Sequence, residues 1–160
     1  MVYTVKGHRN RHFELFNEVM ESLGKLDYTS WFGVSAEILL PDGEVCHIGK
    51  ASLWKGTLQM TRNEIILCTF KCNSKSNMEI TMANGQILLM KRAGMFKSGY
   101  KLLDNEENIL LILNKNFRFA NFSFNYSVEL SKQHTILSDS TLVLFAVYAA
   151  KYHEQVYTSM

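Results

Sequence analysis

Proline is nearly absent from this chain: Pro41 is the only one in 160 residues. With 12% aromatic residues beside so little proline, the chain is neither a low-complexity segment nor a string of tethered modules. Long hydrophobic runs are missing as well. The longest, Leu142 to Ala150, has nine residues, whereas a membrane-spanning helix needs about 20. Met1 to Arg11 contains no apolar core for export. Cysteine is scarce and odd in number: Cys46, Cys68 and Cys72 have no framework spacing. Cys68 and Cys72 share one face of an expected strand, which reads as buried reduced thiols in a reducing, cytoplasmic setting. Charge of one sign is lacking too. Seventeen basic against 15 acidic residues leave +2, which speaks against nucleic-acid binding driven by bulk charge.

The common catalytic patterns are also missing. There is no nucleophile-elbow Gly-x-Ser-x-Gly, no loop ending in Gly-Lys-Ser/Thr and no dinucleotide fingerprint. Gly94 to Gly99 holds glycine, lysine and serine, but not in the order of a phosphate cradle. His8, His12, His47, His134 and His153 show no metal-ligand spacing, and no thiolate pair is spaced for zinc. Neither an enzyme nor a cofactor or metal site is expected.

What the chain does have is strands. Val34, Ala36, Ile38 and Leu40 alternate with Ser35, Glu37 and Leu39 before the turn Pro41-Asp42-Gly43. Val45 to Leu53 returns, and Thr57 to Met60 meets Ile65 to Cys72 across Thr61-Arg62-Asn63-Glu64. Met78, Ile80 and Met82 lead into Asn84-Gly85, a pair suited to the positive φ angles of a type I′ turn, and Gln86 to Lys91 returns. A further pair straddles Asp104 to Asn108. Phe122 to Leu130 alternates strictly for nine residues. Phe13 to Leu23 is ambiguous, since Phe13, Phe16, Val19, Met20 and Leu23 would also form a helical stripe. We read it as a hairpin, with Phe13 to Phe16 returning as Leu23 to Tyr28. These make about a dozen short strands at close spacing, as in a closed antiparallel barrel.

The last element differs. Ser138-Asp139-Ser140-Thr141 are helix-capping types, the apolar run follows, and Lys151 and His153 suit a helix C-terminus. A helix over about 139–153 that is apolar on every face must be surrounded. Leu142, Leu144, Phe145, Val147 and Tyr148 are its expected buried residues. Barrels of about eight strands fill with their own side chains, while wider ones leave a lumen. A dozen strands leave room for a helix roughly 10 Å across. The alternative, a helix docked on an open sandwich, needs a polar stripe that this run does not have.

Three stretches carry a family likeness: Asn77 to Gly85, Leu89 to Tyr100, and Leu144 to Tyr152. In their order and layout the chain resembles the tubby-like superfamily, including its LURP-one-related and phospholipid scramblase branches. The resemblance covers nearly the whole chain, through layout more than through specific motifs. It implies one domain over 1–160: a twelve-stranded antiparallel barrel around a central C-terminal helix, with a non-catalytic intracellular binding or scaffold role. Some tubby proteins bind phosphoinositide headgroups through basic residues on the barrel exterior. The cysteine-rich tail and calcium-binding segment of the scramblases have no counterpart here.

One stretch stands out by charge. No acid occurs between Glu79 and Asp104, leaving Lys91, Arg92, Lys97 and Lys101 uncompensated. Such groups suit an anionic phosphate or lipid headgroup. Lys91 and Arg92 are neighbours, so they point to opposite faces unless the strand ends there, and edge lysines also serve to block aggregation. Lys6, His8, Arg9, Arg11 and His12 form a second basic group. Trp31-Phe32, Trp54 and Met95-Phe96 either pack over a barrel end or contact a membrane surface or protein partner. The competing functions are a small-molecule carrier with an empty lumen, an enzyme with a site at a barrel end, and DNA contact.

Overall fold

The computed structural model describes residues 2–30, 34–51, 56–73, 77–93, 99–118, 123–131 and 135–158. Twelve strands precede one helix. The first six are β1 (Val2–His8), β2 (His12–Phe16), β3 (Ser22–Tyr28), β4 (Ala36–Leu39), β5 (Val45–Lys50) and β6 (Leu58–Arg62). There follow β7 (Ile65–Cys72), β8 (Asn77–Met82), β9 (Ile87–Arg92), β10 (Gly99–Leu103), β11 (Ile109–Arg118), β12 (Ser123–Leu130) and the helix α1 (Asp139–Thr158). Every strand pairs antiparallel with its sequence neighbours, and β1 also pairs with β12 through Val2↔Glu129 and Val5↔Tyr126, which closes the barrel.

Alternation decides which side chains face inward. Val5, Leu15, Leu26, Ile38, Met60, Phe70, Ile80, Met90, Leu102, Leu113 and Val128 are all almost completely buried. The strands lean on α1, where Leu142 to Ala150 is buried on every face. The barrel interior is therefore filled by a helix and not by solvent. Phe70 sets its ring edge-on to Phe145 at 4.9 Å and to Tyr148 at 5.8 Å, and Tyr28 stacks on Tyr148 at 5.6 Å. The Tyr148 hydroxyl donates to the Val34 carbonyl, so its polar end is satisfied inside the barrel.

Gly24 lets the helix approach β3. Its φ is +152°, and a Cβ there would lie 3.1 Å from Leu144 Cδ1 and 3.2 Å from the Leu39 carbonyl oxygen. The helix begins as its capping residues imply. Leu142 N–H donates to the Ser138 carbonyl at 2.9 Å, and Ser138 Oγ accepts from Thr141 N–H at 3.4 Å. It runs to Thr158, past the expected end near 153, because Lys151 and His153 find partners inside the fold and do not terminate it.

The segment that also fits a helical stripe is the β2–β3 hairpin. Asn17 Oδ1 accepts from Val19 and Glu21 N–H at 3.1 and 2.9 Å, and Met20 adopts φ 61°. A side chain that satisfies the turn backbone in this way competes with helix formation. The turn at Asn84-Gly85 differs from expectation. Only Gly85 has positive φ, at 88°, and its N–H donates to Met82 at 2.9 Å. This is a type I turn followed by a left-handed glycine, with Asn84 Oδ1 accepting from Gln86 N–H at 3.0 Å. Consecutive positive φ angles occur instead at Arg9-Asn10 and Asn63-Glu64. Thr61 and Arg62 consequently belong to β6, and only Asn63 and Glu64 turn. Strand β5 ends at Lys50; residues 52–55, with Trp54, lie outside the described residues. The same holds for Trp31, Phe32, Met95, Phe96, Phe122 and His134.

Candidate functional site

The expected basic stretch falls on β9 and β10. Lys91 stands directly opposite Lys101 in the β9–β10 ladder, so both side chains leave the same, outer face. Asn77 flanks Lys91 from β8 and Ile112 flanks Lys101 from β11. Both lysines are half-buried, and among the described residues neither has a carboxylate within ion-pair distance. Like charges directly opposite each other destabilise a sheet. Elsewhere the outer wall does the reverse: Glu14 faces both Lys6 and Lys25, and Lys71 faces Glu79. The aggregation-blocking reading of these lysines lapses, because a closed barrel has no edge to protect.

Lys91, Arg92 and Lys101 line a shallow depression of about 450 Å³, which Glu107 and Ile109 also line. Arg92 is the last residue of β9 and lies opposite Tyr100. Burial raises the Tyr100 hydroxyl above its ordinary value, Glu154 adds to this, and the Arg92 charge and hydrogen bond partly offset it. The same hydroxyl is 3.0 Å from His153 Nδ1 inside the barrel. Arg92 thus joins the outer lysine pair to the interior. Lys97 lies outside the described residues.

Comparison with protein families, curated proteins and solved structures finds no match. The reading of the site therefore rests on its own geometry.

Two arrangements were not legible in the sequence. On the outer wall from β2 to β5, register sets His12, Asp27, Glu37 and His47 in one row. The two carboxylates are cross-strand neighbours, and each has a histidine beside it. His12 Nδ1 is 3.0 Å from Asp27 Oδ1, and His47 Nδ1 is 3.4 Å from Glu37 Oε1. Among the described residues no group of three or more such side chains is arranged to hold a metal.

The second arrangement is the distribution of charge along the barrel axis. Five tight turns occupy the end where α1 begins. The turn after β2 carries Glu18 and Glu21, that after β4 Asp42 and Glu44, that after β6 Glu64, and that after β10 Asp104, Glu106 and Glu107; Asp139 opens the helix. Among the described residues of these turns the base is Arg62, paired with Glu44 at 3.0 Å. At the opposite end stand Arg9 and Arg11 in and beside the β1–β2 turn, Lys50 at the end of β5, and Arg92. Lys151 on the helix and Lys115 of β11 beside it stand there too. Among the described residues the acids near that end are Glu154, bonded to Lys115 Nζ at 2.7 Å, and Asp27 and Glu37, each beside a histidine. Lys151 donates to the Asn10 carbonyl and lies 4.2 Å from the centre of the Tyr28 ring. Burial, and then the Arg11 charge, lower it to about 8.

Among the described residues no helix is long and apolar enough to cross a membrane.

Proposed function

We propose that this protein is a tubby-like, non-catalytic binding or scaffold protein that holds an anionic phosphate group at the Lys91–Lys101 pair, with Arg92 beside it. The observation that carries the reading is the in-register lysine pair, neither lysine in an ion pair among the described residues, lining a depression that Glu107 also lines. Two ammonium groups held side by side lose part of their mutual repulsion when a phosphate bridges them. The planar fork of Arg92 at the strand end supplies directional hydrogen bonds that the lysines lack. The tubby-like assignment draws on the closed twelve-stranded barrel around a hydrophobic helix, the layout on which the sequence resemblance rests. A carrier with an internal lumen has less support, since Leu142 to Ala150 fills that space.

The phosphate can belong to a lipid headgroup or to a free ligand, and two assays separate these. Cosedimentation with vesicles containing anionic phospholipid, against vesicles of phosphatidylcholine alone, tests the lipid source. Titration with inorganic phosphate followed by NMR tests the free one. Near an anionic surface each lysine contributes about 1 kcal/mol, so Lys91→Ala and Lys101→Ala should each weaken binding about fivefold. Binding that survives neutralisation of Lys91, Arg92, Lys97 and Lys101 together would overturn the assignment.

A further inference from the structure

The barrel's two ends carry opposite charge, and neither the fold nor the proposed phosphate site requires it. A helix macrodipole is complemented by roughly half a charge at each terminus, and Asp139 alone meets that need at the start of α1. The remaining acids stand in exposed turns, where Glu18, Glu64 and Glu106 contact no base in the fold among the described residues. At the other end Arg9, Lys50 and Arg92 are likewise exposed. Even and odd strands separate the two sets: each even strand from β2 to β10 runs into an acidic-end turn, and each odd strand runs to the basic end. A net charge of only +2 hides this polarity completely.

We infer that the protein associates with further copies of itself head to tail, the acidic turn end of one barrel seated on the basic end of the next. One partner then accounts for both ends at once. An external anion or cation would account for only one. The contact is heterologous, so it leaves a free acidic end and a free basic end and propagates as a linear array unless rotation closes it into a ring. Because the charges are exposed, the attraction is long-ranged in dilute salt and is lost when the screening length falls to about 3 Å near 1 M salt.

Sedimentation velocity on the full chain tests this with a charge swap. One variant, Glu18→Lys with Glu64→Lys and Glu106→Lys, removes most of the net negative charge of the acidic end. The other, Arg9→Glu with Lys50→Glu, removes most of the net positive charge of the basic end while leaving the Lys91–Lys101 site untouched. Wild-type protein should show a sedimentation coefficient that rises with concentration in low salt and returns to the monomer value near 1 M salt. Each variant alone should stay monomeric, and the equimolar mixture should associate again. Circular dichroism checks that both variants are folded. If either is not, the single substitutions Glu64→Lys and Lys50→Glu replace them, with a smaller loss of association expected.

A wild-type protein that stays monomeric in low salt overturns the inference. So does association that ignores salt, or a mixture of the two variants that remains monomeric. Low-salt monomers whose basic end binds anionic vesicles would replace the second copy with a lipid surface.

Discussion

Replacing Phe145 by alanine should cost this protein a large part of its stability, because the ring sits at the centre of the barrel. Phe145 is 1% exposed and meets Phe70 edge-on at 4.9 Å. Removing a fully buried phenylalanine ring costs about 3–5 kcal/mol, of which the aromatic pair accounts for about 0.5–1.5 kcal/mol. A domain of this size holds only about 5–15 kcal/mol in total. A loss near 4 kcal/mol should lower the melting temperature by roughly 8–16 °C, at about 2–4 °C per kcal/mol. Urea unfolding followed by tryptophan fluorescence provides the assay, with the midpoint falling at unchanged slope. Ile65→Ala is the control: Ile65 is 65% exposed, and surface changes stay within about 0.5 kcal/mol. Phe70→Ala completes a double-mutant cycle, whose coupling should exceed about 0.5 kcal/mol. If Phe145→Ala cost no more than Ile65→Ala, the helix would have to lie in water, and the architecture would be wrong.

The remaining predictions are shorter. Gly24→Ala should destabilise by about 1–3 kcal/mol through backbone strain, and in a double-mutant cycle with Leu144→Ala only the steric part should appear as coupling, because the Leu39 carbonyl still crowds the new Cβ. Lys101→Glu turns a like-charged cross-strand pair into an opposite one, so it should stabilise the unliganded protein by roughly 0.2–1 kcal/mol while abolishing phosphate binding. Lys151 is held down to about 8 by burial, so between pH 8 and its ordinary value near 10.5 the unfolded chain holds a proton there that the native one has lost, and the Lys151 contribution to stability should rise with pH. The buried groups raised by desolvation act the other way, Cys68 and Cys72 from about pH 9 and Tyr28 and Tyr126 above about pH 10: the unfolded chain sheds those protons first, which lowers stability. Lys151→Met should remove the Lys151 contribution alone, so the variant's urea midpoint should fall more steeply than the wild type's between pH 8 and about 10.5. Burial raises the Cys68 thiol to about 12 and the Cys72 thiol to about 11. At pH 8 the native protein should therefore resist thiol labelling, and all three cysteines should react in urea.

Local chemistry settled much of the fold before any tertiary contact was known. Alternation from Met78 to Met82 and from Ser123 to Leu130 names an inner and an outer face without reference to a partner, because side chains along a strand repeat every two residues. The run Leu142 to Ala150 has no polar face, so burial on all sides follows from the sequence alone. Ser138 in front of it fixes where the helix starts. Its end was less visible, since Lys151 and His153 look like C-terminal residues until the neighbours that hold them, Asn10 and Tyr100, are known.

The candidate site divides the same way. That Lys91, Arg92, Lys97 and Lys101 lie in an acid-free stretch is a property of order along the chain. That Lys91 and Lys101 share a rung while Arg92 turns toward Tyr100 depends on the register of β9 against β10, which the residues of neither strand determine alone. The row from His12 to His47 and the separation of acidic from basic ends were hidden for a related reason. Both bring together residues far apart in the chain: the register of β2 to β5 sets the row, and the up-and-down order of the strands sets which turns share an end. Composition reports the sum of the charges, and the fold decides where each one stands.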